Sequence, residues 1–254
     1  YRFFPIEEDN NGNYITANTN VNDINNLFMN PTVDILNNSW GSSKGYIYNH
    51  SYMDGIIQGV KNGRNGKGVI SVWASGNDGA KGDSDIYSAD YALLESTLNL
   101  RETIVVGSVF YRNRINGSTP VDDDYERAIY SESGSCLLCC GPGGQFFSDA
   151  NNSEYGILAA YPHVSFDNNY VHYTQGTSFA APIVSGCIAL LLSQRNELTW
   201  RDVKEIISLT CKKVDSNVLT ERNYAVDSTI SEWVVNAAGR NYNINFGYGL
   251  IDAN

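Results

Sequence analysis

The sequence predicts an α/β fold, a mostly parallel sheet with helices on both faces. Three observations predict it. Apolar, β-branched runs recur as short strands, the segment between the first two is an amphipathic helix, and the C-terminal third holds two more helices. Strands that are apolar throughout belong to sheets covered on both sides, because a strand with one wet face alternates instead. At 254 residues and 42% hydrophobic, the chain is long enough for one sizeable core. No shift in composition marks a linker, so residues 1–254 read as one domain.

The elements follow in order. Residues 10–26, "NNGNYITANTNVNDINN", read as polar surface loop. The runs "VDILNNSW" (33–40), "VISVWASG" (69–76) and "TIVVGSVF" (103–110) read as buried strands. Between the first two, "SYMDGIIQGVKNG" sets Met53, Ile56, Ile57 and Val60 on one helical face ahead of a Gly-rich end. Ser178–Ser193 is apolar and nearly uncharged and predicts a buried helix, with Pro182 expected inside its first turn. "LTWRDVKEIISLTC" starts with Thr199 as N-cap and Asp202 three residues on, the capping-box pattern. Residues 213–245 read as irregular, and "NFGYGLIDAN" ends on a glycine-punctuated apolar contact.

The balance of 28 acidic against 17 basic residues gives a net charge of -11, which argues against a nucleic-acid or anionic-membrane partner. No run of about 18 uninterrupted apolar residues is present, so no membrane span is expected. The chain opens at Tyr1 without a basic and apolar leader, and a processed product or fragment is expected. Five cysteines cannot all pair within one chain. Cys136, Cys139 and Cys140 in "GSCLLCCGPGG" suggest a metal knuckle, but the second pair is missing, and buried free thiols acting as small hydrophobes are the stronger reading.

The chemistry gathers around "YTQGTSFAAPIVSG" (173–186). Ser178 stands at a helix start, where a serine is ordinarily a cap. It is also where a nucleophile gains from the helix N-terminus, provided that small neighbours admit another backbone and a donor can hold an oxyanion. In open sheets ligands bind outside the carboxyl ends of the strands, which points at "NNSWGSS" and "WASGNDGAKGD". Asn77 ends the strand in the second, where its amide can donate to an oxyanion or simply fill a turn beside Gly76 and Gly79.

"GTSFAAP", "WASGN" and "NNSWG" in this sequence resemble three blocks of the subtilisin-like serine peptidases, and "LTWRDV" with "FGYGLIDA" resembles the kexin/furin branch. The resemblance covers residues 33–253. It implies a serine endopeptidase that works through an acyl-enzyme on Ser178, with Asn77 as oxyanion donor and Thr177, Ala180 and Ala181 small for close approach. It implies further that Ser39, Trp40 and Gly41, and Ala74, Ser75 and Gly76, flank the specificity pocket and pair with a polypeptide substrate as an added strand. For Trp40 core packing is the equal alternative. No cofactor is required for such chemistry. Secretion is what the resemblance favours for the compartment.

Members of that branch prefer basic substrates and bind calcium near the specificity pocket. Asp83 and Glu132 stand at matching positions as metal ligands and Asp90 as a substrate-binding acid. As residues alone they read as solvated surface acids. The paired acids that follow the tryptophan block in that branch are absent from "SWGSSKGYIYN". The triad's Asp and His blocks are absent too: His50, His163 and His172 all lie outside the catalytic pattern. The Asp and His are therefore expected from an N-terminal segment or a second chain. Without that segment, an uncovered strand edge and apolar surface are expected. The alternative is a catalytically silent peptide-binding module that keeps the cleft and lacks the base.

Overall fold

The computed structural model describes residues 6–8, 14–16, 26, 28, 30, 32–41, 50–79, 91–111, 115–116, 119–120, 125–145, 156–160, 171–214 and 232–253. Two short strands, β1 (Ile6–Glu8) and β2 (Tyr14–Thr16), pair antiparallel. Part of the Asn-rich stretch is thus strand: Tyr14, Ile15 and Thr16 are β-formers within polar surroundings.

The main sheet holds β3 (Ile35–Asn38), β4 (Ile70–Ala74), β5 (Thr103–Tyr111), β8 (Tyr125–Arg127) and β9 (Leu137–Pro142). β3, β4, β5 and β9 run parallel, and β8 pairs antiparallel with the end of β5. Two small pairs lie outside it: β6 (Ile115–Asn116) with β7 (Thr119–Pro120), and β10 (Ile157–Ala160) with β11 (Val171–Thr174). A third, β12 (Val234–Val235) with β13 (Asn241–Tyr242), follows the helices.

Helices cover both faces, as the apolar strands require. Ile70, Val72 and Ala74 of β4 point to one side with Ile104 and Val106 of β5, and there meet α2 (Thr177–Gln194) and α3 (Trp200–Thr210). Trp73 and Val105 point to the other side, against Ile56 of α1 (His50–Asn62), Phe28 and Leu98. Neighbours on a strand face opposite ways, so both layers must be apolar at once. Each fully buried branched side chain in these layers contributes about 1.5–3 kcal/mol. Thr199 and Asp202 form the expected capping box at the start of α3.

"LLCCGP" is the strand β9, and Cys139 and Cys140 are fully buried in it as the expected free thiols; all five thiols are free. The Cys139 thiol is held well above its ordinary value, first by its hydrogen bond with Cys211 and then by burial, while burial alone leads at Cys140. Such thiols are unreactive. Two other expectations, the buried helix and Pro182 inside its first turn, are corrected. Helix α2 buries one face only. It is long and apolar enough by composition to cross a membrane, yet Val184, Ile188 and Leu192 pack on the sheet while Leu190 is 65% exposed. Pro182 lies within α2, beyond its first turn. At the sheet's other margin, β3 has a described partner only on its β4 side, and Leu190 and Leu209 stand exposed.

Candidate active site

Strand β11 leads through Gly176 into α2, and Gly176 is the N-cap, with φ 144° that only glycine holds without strain. Ser178 is therefore the second helical residue and not the cap. Its Oγ donates to the Ser39 carbonyl at 3.2 Å, just past the end of β3. In return Ser39 Oγ donates to the Ser178 carbonyl at 2.8 Å. The reason lies four residues on: Pro182 has no N–H with which to close the helical bond to that carbonyl. The oxygen is left for Ser39.

Asn77 follows β4 and faces the same helix start. Its Oδ1 accepts from the Thr177 N–H at 2.9 Å and from Thr177 Oγ1 at 2.9 Å. A backbone N–H can only donate, so the amide orientation is fixed, with Nδ2 turned away from Thr177. A methyl built on Gly176 would lie 3.8 Å from that Nδ2. Among the described residues neither Asn77 Nδ2 nor the Ser178 N–H has an acceptor. Two donors without a described acceptor thus stand at the positive end of the same helix.

The other residues singled out divide by depth. Trp40 is 48% exposed and leans on Trp73 and Tyr52 at ring-centre distances of 4.7 and 5.2 Å, so it borders the site and is not core. Ser39 is half-buried and Gly41 exposed. Ala74 and Ser75 are buried, with Ser75 N–H bonded to Val106. The Gly76 carbonyl accepts from the Glu132 N–H at 3.2 Å, and its N–H lies 3.3 Å from Thr177 Oγ1. At Gly76, then, the main chain is already engaged within the protein. Asp83, Asp90 and His163 lie outside the described residues, as does the side chain of His172, whose backbone pairs with Ala159 in the β10–β11 hairpin. His50 is exposed at the start of α1.

Glu132 is buried, not a solvated surface acid. Its Oε1 accepts from the Asp78 N–H at 3.1 Å, and a methyl on Gly76 would fall 2.2 Å from it. The nearby charge is a cation of the protein's own. Burial lowers the Arg127 guanidinium to about 10, and the Glu132 carboxylate opposes that shift. Among the described residues no group of three His, Cys, Asp or Glu side chains comes together to hold a metal ion.

Sequence reasoning missed Tyr130 and Thr177's double contact with Asn77. The "TS" pair offered a signal for the second, since a threonine hydroxyl beside the nucleophile must find a partner. Nothing in "AIYSES" distinguished Tyr130 from any core tyrosine.

The chain thus presents a mostly parallel α/β sheet with a serine at a helix start and, facing it, an amide at a strand end. The chain belongs to the subtilase family, whose model matches residues 3–249. Members of that family need no cofactor for their chemistry. The chain is 31% identical over 231 residues to neuroendocrine convertase 2 of Mus musculus, covering 87% of this chain and 30% of that one. It is 29% identical to furin of Bos taurus over 232 residues, covering 89% and 24%. The chain thus spans less than a third of these relatives' length. Among solved structures, the serine protease of Aeromonas sobria in complex with its chaperone superposes with a TM-score of 0.68 at 18% identity, covering 93% of this chain and 45% of that one. Fervidolysin of Fervidobacterium pennivorans gives 0.58 at 18%, covering 92% and 27%. At such identity the likeness is one of fold.

Proposed function

We propose that this chain carries the nucleophile and oxyanion half of a serine endopeptidase, with Ser178 attacking the scissile carbonyl. The observation that carries this reading is the pair of unengaged donors, Ser178 N–H and Asn77 Nδ2, beside the Ser178 hydroxyl. The tetrahedral oxygen would sit between them, and one such donor is worth several kcal/mol. Ser178 Oγ then needs a base to take its proton. The resting hydroxyl instead donates to the Ser39 carbonyl, and the base and its orienting carboxylate come from chain beyond these 254 residues. The substrate is a polypeptide, lying along Ser39–Gly41 with Trp40 at the border of its pocket. Its compartment is extracytoplasmic, in keeping with the convertase relatives.

A silent peptide-binding module is the second reading, favoured by the engaged Ser178 hydroxyl. Fluorophosphonate labelling of the chain, alone and with an N-terminal segment that carries Asp and His, separates the two. Labelling at Ser178 that rises on adding the segment supports the peptidase. No labelling in either sample sinks it.

A further inference from the structure

Tyr130, between β8 and β9, is buried, and its hydroxyl oxygen lies at a junction of four groups. Gly143 O is 2.8 Å away, Gly144 O 2.6 Å, Ser108 Oγ 2.8 Å and Gly176 N 2.9 Å. A phenol has one proton, and carbonyls cannot donate, so that proton goes to the glycine carbonyls. The Gly176 N–H and the Ser108 hydroxyl must then donate to Tyr130. The Gly176 N–H is shared with Gly143 O at 2.9 Å. The hydroxyl therefore ties the residue two before Ser178 to β5 and to the end of β9.

The same short segment holds the other half of the site. Gly79 N–H donates to Tyr130 O at 3.0 Å, Glu132 N–H donates to Gly76 O at 3.2 Å, and Glu132 Oε1 accepts from Asp78 N–H at 3.1 Å. Residues on both sides of Asn77 are thus gripped by residues 130–132. Beneath them the buried Arg127 donates through Nη2 to Ser131 O. Tyr130 and Glu132 lie two residues apart, with one bonded at the start of the Ser178 helix and the other to the Asn77 loop.

We propose that Tyr130 is a positioning residue, whose hydroxyl sets the register between the nucleophile at Ser178 and the oxyanion donor at Asn77. The inference rests on the roles given above to those two residues. A core-filling tyrosine would need only its ring, which packs with Phe110 and Ala128. Burial also pushes the phenol up to about 12, so the hydroxyl keeps both its donor and acceptor functions across the working range.

Tyr130→Phe keeps the ring and removes the junction. Hydrogen exchange at the Gly176 amide is expected to rise about two- to tenfold, the effect of one lost hydrogen bond, with Gly66 unchanged. Fluorophosphonate labelling of Ser178 is expected to slow by about tenfold or more in its first-order step, since small misplacements of reacting groups are costly, while the reagent's affinity stays the same. An unchanged Gly176 exchange rate, or a labelling step that is unchanged or changes only through affinity, overturns the proposal. Where the wild type is not labelled even with the segment that carries Asp and His present, the peptidase reading fails, and Gly176 exchange alone decides the positioning. If Tyr130→Phe does not fold, Ser108→Ala, which removes one donor to the same oxygen and leaves the Gly176 N–H bond in place, is read by the labelling step alone: a slower first-order step supports the proposal and an unchanged one overturns it.

Discussion

Ser39 Oγ donates to the Ser178 carbonyl at 2.8 Å, at the place in α2 where Pro182 has removed the helical N–H. The strand end is thereby pinned to Ser178 itself. A proline inside a helix normally leaves such a carbonyl unpaired, and here a neighbouring strand satisfies it.

That relationship predicts coupling. Ser39→Ala is expected to destabilise the protein by about 1 kcal/mol, the net worth of one buried hydrogen bond. In a Pro182→Ala background the N–H returns to close the helix, and the same Ser39→Ala change is expected to cost almost nothing. Denaturant midpoints of the four proteins in the cycle measure it; additive effects would dissolve the link.

Asn77 separates a structural from a chemical role. Asn77→Asp keeps an oxygen for the Thr177 N–H and hydroxyl but loses the Nδ2 donor. We expect near-native stability with fluorophosphonate labelling, in a sample where the base is present, lowered about 10²–10³-fold, the usual cost of one oxyanion donor. Labelling within a few-fold of wild type would remove Asn77 from the oxyanion site.

Gly76 stands where no side chain fits. With φ 117° and the Glu132 carboxylate 2.2 Å from a built methyl, Gly76→Ala is expected to cost about 1–3 kcal/mol through backbone strain and to displace the Asn77 loop. Thermal unfolding reads the stability. An unchanged melting temperature would show that Glu132 moves freely.

Lys204 gives the stability a slope at alkaline pH. Burial lowers its ammonium to about 8 from an ordinary 10.5, and its Nζ donates to Arg101 O and Thr103 O. Between these values the unfolded chain still holds a proton that the folded chain has released. Stability from this group therefore rises with pH from about 8 towards 10.5, and below 8 it is flat at its lowest level. Urea midpoints at about pH 7.5, 9 and 10 check it. Lys204→Met is expected to flatten the difference, and parallel curves for the two proteins would refute the assignment.

The layers of the fold were legible because each rests on local chemistry. The β-branched runs at 69–76 and 103–110, and the Thr199–Asp202 cap, form as their side chains dictate. β9 was less legible: "LLCCGP" lacks β-branched residues and ends in Gly-Pro, and it becomes a strand by pairing with β5. The capping role considered for Ser178 failed for a related reason. Gly176, whose φ suits the turn out of β11, takes the cap and leaves the serine two positions inside the helix.

The sequence by itself determined that strands and helices alternate, that a serine opens a helix, and that an asparagine ends a strand, since periodicity and turn chemistry act over a few residues. Only the tertiary structure decided what these groups touch. It turned the Asn77 oxygen towards Thr177 so that the amide nitrogen is free, gave the Ser178 carbonyl to Ser39, and put the Tyr130 hydroxyl against Gly176. Those bonds join residues 46 to 139 positions apart, where the choice of partner depends on how the sheet stacks its layers and on no local pattern.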